Sequence, residues 1–299
     1  MPRKGPVRPR LPEWARKSGT HFEALNRLKS GLRQRDLHTV CESARCPNIH
    51  ECFGRATAAF MILGDRCTRA CGFCSVPKLN PRHHDSRLDP AEPANVARMA
   101  AELRSRYVVI TSVNRDDLED GGSRHFAETV RQVRMALPDA RVEVLTPDFE
   151  GDLEAVARVL DSGPHVFNHN METVPRLYPR VRPRANYRQS LGILAFARRY
   201  RPETLTKSGF MLGLGETQGE VRALLGDLRA AGTQIATIGQ YLQPTRRNLP
   251  VVEYVAPARF DEYREYGLSL GFDTVFSGPL VRSSYMADAV SETARRSLC

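Results

Sequence analysis

A chain of 299 residues can bury a large core, and 41% apolar with 26% charged residues is the balance of a soluble globular protein, not a fibrous or disordered one. No apolar run approaches the roughly 20 residues that cross a membrane, and no short apolar stretch near the start marks export. The formal net charge of +10 points to an acidic partner, either nucleic acid or an acidic protein, or to a solvated basic terminus.

In chain order, residues 1–12 read as a Pro- and Arg-rich arm. Residues 1–35 hold ten Lys or Arg (Arg3, Lys4, Arg8, Arg10, Arg16, Lys17, Arg27, Lys29, Arg33, Arg35) against Glu13 and Glu23. Pro2, Pro6, Pro9 and Pro12 break the amphipathic helix that an organelle transit peptide needs. A short helix is expected between residues 14 and 37, with Phe22, Leu25 and Leu28 at helical spacing. Residues 38–56 carry three cysteines among Pro47 and Gly54, so they read as a loop held by a metal rather than by a core.

A repeating pattern follows. An apolar run at 58–63 reads as a strand. Val96, Met99, Ala100 and Leu103 mark an amphipathic helix, and residues 107–113 a buried, β-branched strand. Next come a helix through Phe126, Val130, Val133 and Leu137, a strand at 142–145, and a helix whose stripe is Leu153, Val156, Ala157 and Leu160. Then follow a short strand at 166–167, a helix at 187–200, a strand at 204–212, and a helix through Val221, Leu224, Leu225 and Leu228. A strand at 235–241, a helix at 258–270 and a final short strand at 274–277 complete the series.

This alternation predicts an α/β protein of parallel β/α units. Periodicity does not separate an open doubly wound sheet from a barrel. In either, chemistry gathers at the C-terminal strand ends. The polar candidates fall there: residues 67–74, 114–117, Thr146, 168–172, Glu216, and Gln240 with Gln243.

Six of the seven cysteines lie within residues 41–74, as C-x4-C-x5-C (Cys41, Cys46, Cys52) and C-x3-C-G-F-C (Cys67, Cys71, Cys74). Clustered cysteines in a chain without an export signal point to metal-bound thiolates rather than disulfides. Three ligands leave one coordination position open at each site. C-x3-C-x2-C with Phe73 before the last cysteine resembles the signature of the radical S-adenosylmethionine (SAM) superfamily. That resemblance implies a partial (β/α)6 barrel, and a 4Fe–4S cluster whose open iron binds SAM and cleaves it to a hydrogen-abstracting deoxyadenosyl radical. It also implies cofactor contacts from Phe73, Asn168, Glu172 and Gln240, and from Gly209, Gly213 and Glu216 in the stretch Gly209-Phe210-Met211-Leu212-Gly213-Leu214-Gly215-Glu216.

The first triplet implies a second cluster. Near the end stands Arg282-Ser283-Ser284-Tyr285. The two triplets together with this motif resemble the lipoyl synthase family over roughly residues 20–290. The resemblance implies that Ser284, or failing that Ser283, ligates an auxiliary 4Fe–4S cluster with Cys41, Cys46 and Cys52. It implies insertion of two sulfurs at C6 and C8 of a protein-bound octanoyl-lysine, with the auxiliary cluster as sulfur donor. It divides the chain into an arm and cysteine loop (1–56), a barrel core (57–277) and a C-terminal extension (278–299). Implied partners are octanoylated lipoyl domains of 2-oxoacid dehydrogenase complexes, the glycine cleavage H protein, a ferredoxin or flavodoxin electron donor and an iron–sulfur cluster carrier, with no nucleic acid or membrane, in the cytoplasm. Arg176, Arg180, Arg182, Arg184 and Arg188 are candidates for meeting an acidic carrier.

Local departures from the family pattern are Met286, Arg184 and Arg246-Arg247-Asn248. His83 and His84 read as loop surface, His169 as a satisfied rim histidine and Cys299 as a free terminal thiol. A tRNA methylthiotransferase shares the cysteine logic but needs extra domains for which this length leaves no room. An iron–sulfur electron carrier would need neither an open iron nor the glycine-rich strand.

Overall fold

The computed structural model describes residues 11–15, 22–54, 59–80 and 87–285. The first ten residues of the basic arm, His83, His84, Met286 and Cys299 lie outside the described residues.

A two-residue strand, β1 (His38–Thr39), pairs antiparallel with β2 (Ala59–Ile62). From β2 the sheet continues in parallel through β3 (Tyr107–Ser112), β4 (Arg141–Leu145), β5 (Val166–Asn168), β6 (Leu205–Leu212), β7 (Ile235–Gln240) and β8 (Thr274–Ser277). Spatial order equals chain order throughout. A doubly wound sheet must reverse its order at a switch point; a twisted sheet that always steps the same way curls toward a barrel. Among the described residues β1 and β8 form the two edges, so the barrel is open along one seam.

The helices are α1 (Phe22–Arg33), α2 (Val40–Ser43), α3 (Ile49–Gly54), α4 (Glu92–Glu102), α5 (Ser123–Ala136), α6 (Leu153–Asp161), α7 (Tyr178–Val181), α8 (Tyr187–Tyr200), α9 (Gln218–Ala230) and α10 (Pro257–Ser269). Their starts are written locally. Asp152 caps α6 by accepting from the Glu154 amide at 2.8 Å. Asn186 caps α8 by accepting from Gln189 N. Thr217 and Glu220 form a reciprocal capping box on α9.

Helices cover the outer face of the strands in two apolar layers. One gathers Val96, Phe126, Val130, Val156 and Leu160 against Ile62, Ile110 and Val144. The other gathers Leu224, Leu225, Leu228 and Phe260 against Phe210, Leu212 and Ile238. Each such fully buried side chain contributes about 1.5–3 kcal/mol. A smaller group, Val166, Leu205 and Ile235 with Phe276, packs separately among β5–β8.

Three expectations change. Residues 38–56 are not a loop without a core: Thr39 caps α2, α3 follows, and Phe53 is buried with Leu25, Leu28 and Leu32 of α1. Ile49, Phe53 and the α1 leucines pack this segment against the core. The α6 stripe runs through Ala155, Val156, Val159 and Leu160; Leu153 is 42% exposed because it sits in the first turn, beside the solvent-facing cap. The strand expected at 274–277 forms, giving seven parallel strands, and what changes is β1, an antiparallel strand too short for periodicity to reveal.

Candidate active site

The second cysteine triplet lies on the loop leaving β2, and neighbouring strand-end loops grip that loop. Cys67 N donates to Pro77 O and Leu79 N to Cys67 O, both at 2.9 Å, so the segment closes on itself. Thr68 donates from its backbone amide and its hydroxyl to Asn114 O after β3. Gly72 N donates to Val181 O, and Leu249 N donates to Gly72 O. The Asn248 amide donates to Cys74 O at 2.9 Å and to Gly72 O. Arg69, 4% exposed, forks onto Asp116 and also pairs with Asp148 at 2.7 Å. Burial would lower the Arg69 guanidinium, but the two carboxylates hold it well above its ordinary value. Burial would likewise raise the Asp148 carboxyl, and hydrogen bonding to Arg69 keeps it low. Arg69, Asp148 and Asn248 are supports that sequence reasoning missed. Asp116 lay within the rim stretch 114–117, but nothing local marked its partner.

The first triplet meets the C-terminus across the open seam of the barrel. Asn48, between Cys46 and Cys52, donates to Leu280 O at 2.8 Å. Tyr285 donates to the Glu51 carboxylate at 3.0 Å. Gln240 N donates to Pro279 O, which ties the same C-terminal segment to β7. A Cβ on Gly239 would lie 2.1 Å from Val281 O, so the approach depends on glycine. The two serines of the motif differ. Ser283 exchanges hydrogen bonds with Asn170 at 2.8 and 3.0 Å. Ser284 has no recorded hydrogen bond among the described residues, and it faces the cavity.

That cavity, of about 340 Å³, runs from the first triplet to Cys74 of the second. Cys41, Cys46 and Cys52 line it together with Phe73, Cys74, Glu172, Ser283 and Ser284. Val76, Val109, Leu145, Phe210, Met211 and Leu242 make much of the wall apolar.

Other candidates lie elsewhere. Asn168 does not line the cavity; it is fully buried and donates to Glu143, which also pairs with Lys207 and accepts from Tyr107. Asn170, two residues on, lines the cavity instead. Glu216 accepts from the amides of Gly213 at 2.5 Å and Leu214 at 3.0 Å, so its carboxylate shapes the turn. Gln240 does line the cavity, but its side-chain amide is taken up by Leu212 O, Tyr241 O, Glu253 O and Val255 N. Gly209 lies where a Cβ would meet Thr237, Ser283 and Asn170. His169 is buried, between Thr146 O and the Ser190 hydroxyl.

Electrostatics suit thiol ligands. The six described cysteines are free. Burial, then Cys46 nearby, pushes the Cys41 thiol up to about 12. Burial pushes Cys71 up to about 11, opposed by Arg182 and assisted by Cys74 and Cys67. Burial raises Cys74 as well. Cys41, Cys71 and Cys74 are thus thiols that a bound cation would help to ionise. Three thiols that take different irons of a cubane need not meet at one point, and among the described residues no three metal-ligating side chains converge on a single ion. The chain thus offers two sets of three thiols, and Ser284 lines the cavity beside the first. Burial also raises the Glu172 carboxyl, against the pull of Arg182 and Asn170.

Residues 61–228 match the Radical SAM superfamily. The fold resembles methylornithine synthase, with TM-score 0.53 at 16% identity over 87% of this chain and 71% of that one. It also resembles coproporphyrinogen III oxidase from Escherichia coli, with TM-score 0.50 at 13% identity over 69% of this chain and 51% of that one. A parallel sheet wound in chain order, with a three-cysteine loop at the end of its first parallel strand, is the architecture of a radical SAM enzyme. Residues 1–46 match the N-terminal domain of lipoyl synthase. The lipoyl synthase of Methylococcus capsulatus is 56% identical over 93% of this chain and 86% of its own length; that of Thermus thermophilus is 52% identical over 96% and 88%. The chain belongs to the lipoyl synthase family.

Proposed function

We propose that the chain inserts two sulfur atoms, at C6 and C8, into an octanoyl group carried on a lysine of a lipoyl-carrier protein. The observation that carries this reading is the shared cavity: the first triplet, Cys74 of the second and both C-terminal serines line one largely apolar chamber. Cys67, Cys71 and Cys74 would hold one 4Fe–4S cluster; Cys41, Cys46, Cys52 and Ser284 would hold the other. When bound, the clusters and SAM supply a radical able to remove unactivated hydrogens, and the sulfur that replaces them. The chain's own residues position and exclude. Phe73 and Glu172 flank the cofactor side of the chamber. The apolar wall takes the acyl tail, worth roughly 5 kcal/mol for about seven carbons, and keeps water from the reacting carbon.

A hard serine oxygen among thiolates is the weak ligand of the first site. A hydroxyl is harder to deprotonate than a thiol of pKa about 8.5, so a cluster held by one such oxygen comes apart readily. That suits a sulfur donor. The proposed carriers are octanoylated lipoyl domains of 2-oxoacid dehydrogenase complexes and the glycine cleavage H protein. A ferredoxin or flavodoxin supplies electrons, and an iron–sulfur carrier rebuilds the donor cluster. The cytoplasmic setting proposed for it rests on the clustering of six cysteines as two ligand triplets, which must stay reduced to hold metal.

The experiment is anaerobic turnover with reductant, SAM and an octanoyl-lysine peptide, read by mass spectrometry. The expected product gains two sulfurs. Cys46→Ala should abolish product while deoxyadenosine still forms; Cys71→Ala should abolish both. Full product from the Cys46→Ala chain would sink the reading of the first triplet as sulfur donor.

A further inference from the structure

The Ser283 hydroxyl donates to Asn170 Oδ1 at 3.0 Å and accepts from Nδ2 at 2.8 Å. The same Nδ2 donates to Glu172 Oε1 at 2.9 Å. One amide therefore spans the C-terminal segment and the carboxylate on the loop after β5. The contact has a place prepared for it. A Cβ on Gly209 would lie 2.8 Å from Ser283 Oγ and 3.0 Å from Asn170 Oδ1, so only glycine leaves room. Arg182 donates to Asn170 O at 2.8 Å and steadies its backbone. Glu172 is held at φ +65° by its amide on Gly209 O at 3.0 Å and by Met211 N on its carbonyl at 2.9 Å. Asn170 and Glu172 are thus each fixed from a second side.

We propose that Ser283 and Asn170 form a positioning latch that keeps Glu172 in register with the adjoining Ser284. The inference rests on the reading of Glu172 as a cofactor contact and Ser284 as a cluster ligand. It divides the serine pair: one hydroxyl is engaged in registration, the other is free to ligate. Registration matters because hydrogen removal and sulfur delivery must act on the same carbon. A displacement of about 1 Å at such a site costs on the order of 100-fold in rate. An unlatched C-terminal segment would let the radical form without capture of the carbon by sulfur.

The test uses the full-length, anaerobically reconstituted chain as Ser283→Ala, Asn170→Ala and the double variant. All three should retain the iron of two clusters. Ser283→Ala should raise deoxyadenosine formed per sulfur inserted roughly five-fold, and weaken SAM binding in equilibrium dialysis by a similar factor, the size expected for one lost hydrogen bond. The double variant should be no worse than Asn170→Ala alone, because both changes remove the same contact. Three outcomes would overturn the latch: an unchanged ratio and unchanged SAM affinity in Ser283→Ala, additive effects in the double variant, or loss of one cluster's iron from Ser283→Ala, which would make Ser283 the ligand. SAM affinity and iron content are read without product, so they report on the latch even if the wild-type chain fails to convert an octanoyl peptide. That failure would count against the proposed function instead.

Discussion

His169 shows how one buried side chain ties stability to pH. Its ring lies between Thr146 O and Ser190 Oγ, both at 3.0 Å. Burial, then the nearby Arg182, lowers its pKa from 6.5 to about 4. The folded protein therefore keeps His169 neutral where the unfolded chain would protonate it. Between pH 6.5 and about 4 the unfolded state binds the extra proton, so stability falls as pH falls through that window. The loss is on the order of 3 kcal/mol when complete. The urea midpoint of the wild-type chain should drop more steeply from pH 6.5 to 4.5 than that of His169→Gln; parallel pH profiles would show that His169 ionises freely in the folded state. At this scale much was legible from sequence: the residue types and spacings of both triplets follow from coordination chemistry, which depends on local order along the chain. The state of His169, the partners of Arg69 and the difference between Ser283 and Ser284 were not legible. Each depends on atoms brought from other strands.

At the scale of elements, the seam between β1 and β8 is the point where the molecule departs from a plain barrel. It is bridged by Asn48 to Leu280 O and by Tyr285 to Glu51. The C-terminal segment also passes against Gly239 of β7. A methyl group at Gly239 would stand 2.1 Å from Val281 O, so Gly239→Ala should push the segment off the strand, with an overpacking cost of about 1–3 kcal/mol. Iron content should fall toward that of one cluster while deoxyadenosine still forms; two full clusters in this variant would show that the segment can shift without releasing the serine. The helices with strong 3.6-residue stripes were visible in the sequence because each stripe packs on its own strand. The pairing of β1 was hidden, since two residues carry no period. The coupling of Asn48 to Leu280 spans 232 residues and leaves no local pattern.

For the whole molecule, charge is the property that sequence suggested and structure refined. Of the five rim arginines, Arg176 pairs with Glu220 at 2.6 Å, Arg182 is buried, and Arg184 reaches Asp116 and Glu150 at 3.6 Å. Arg180 and Arg188 are exposed and have no recorded ion pair among the described residues. The patch able to steer an acidic carrier is therefore smaller than the arginine count implied. Carrier binding should weaken as salt rises, and reversing both charges, as Arg180→Glu with Arg188→Glu, should slow association roughly ten-fold at low salt. Association rates that ignore salt would place carrier recognition in the apolar chamber rather than at the rim.

The sequence alone determined the ligand types, the alternation of strand and helix and, through its motifs, the family. These are carried by neighbours in the chain: cysteine spacing selects cluster chemistry, and apolar period selects the element. Only the tertiary structure decided that the sheet never reverses its order, that the first triplet and Cys74 line one chamber, and that Ser283 is engaged while Ser284 faces the cavity. Those facts depend on how the first and last segments meet across the open seam, and such long-range contacts arise from packing and hydrogen bonding in the folded chain, not from local order.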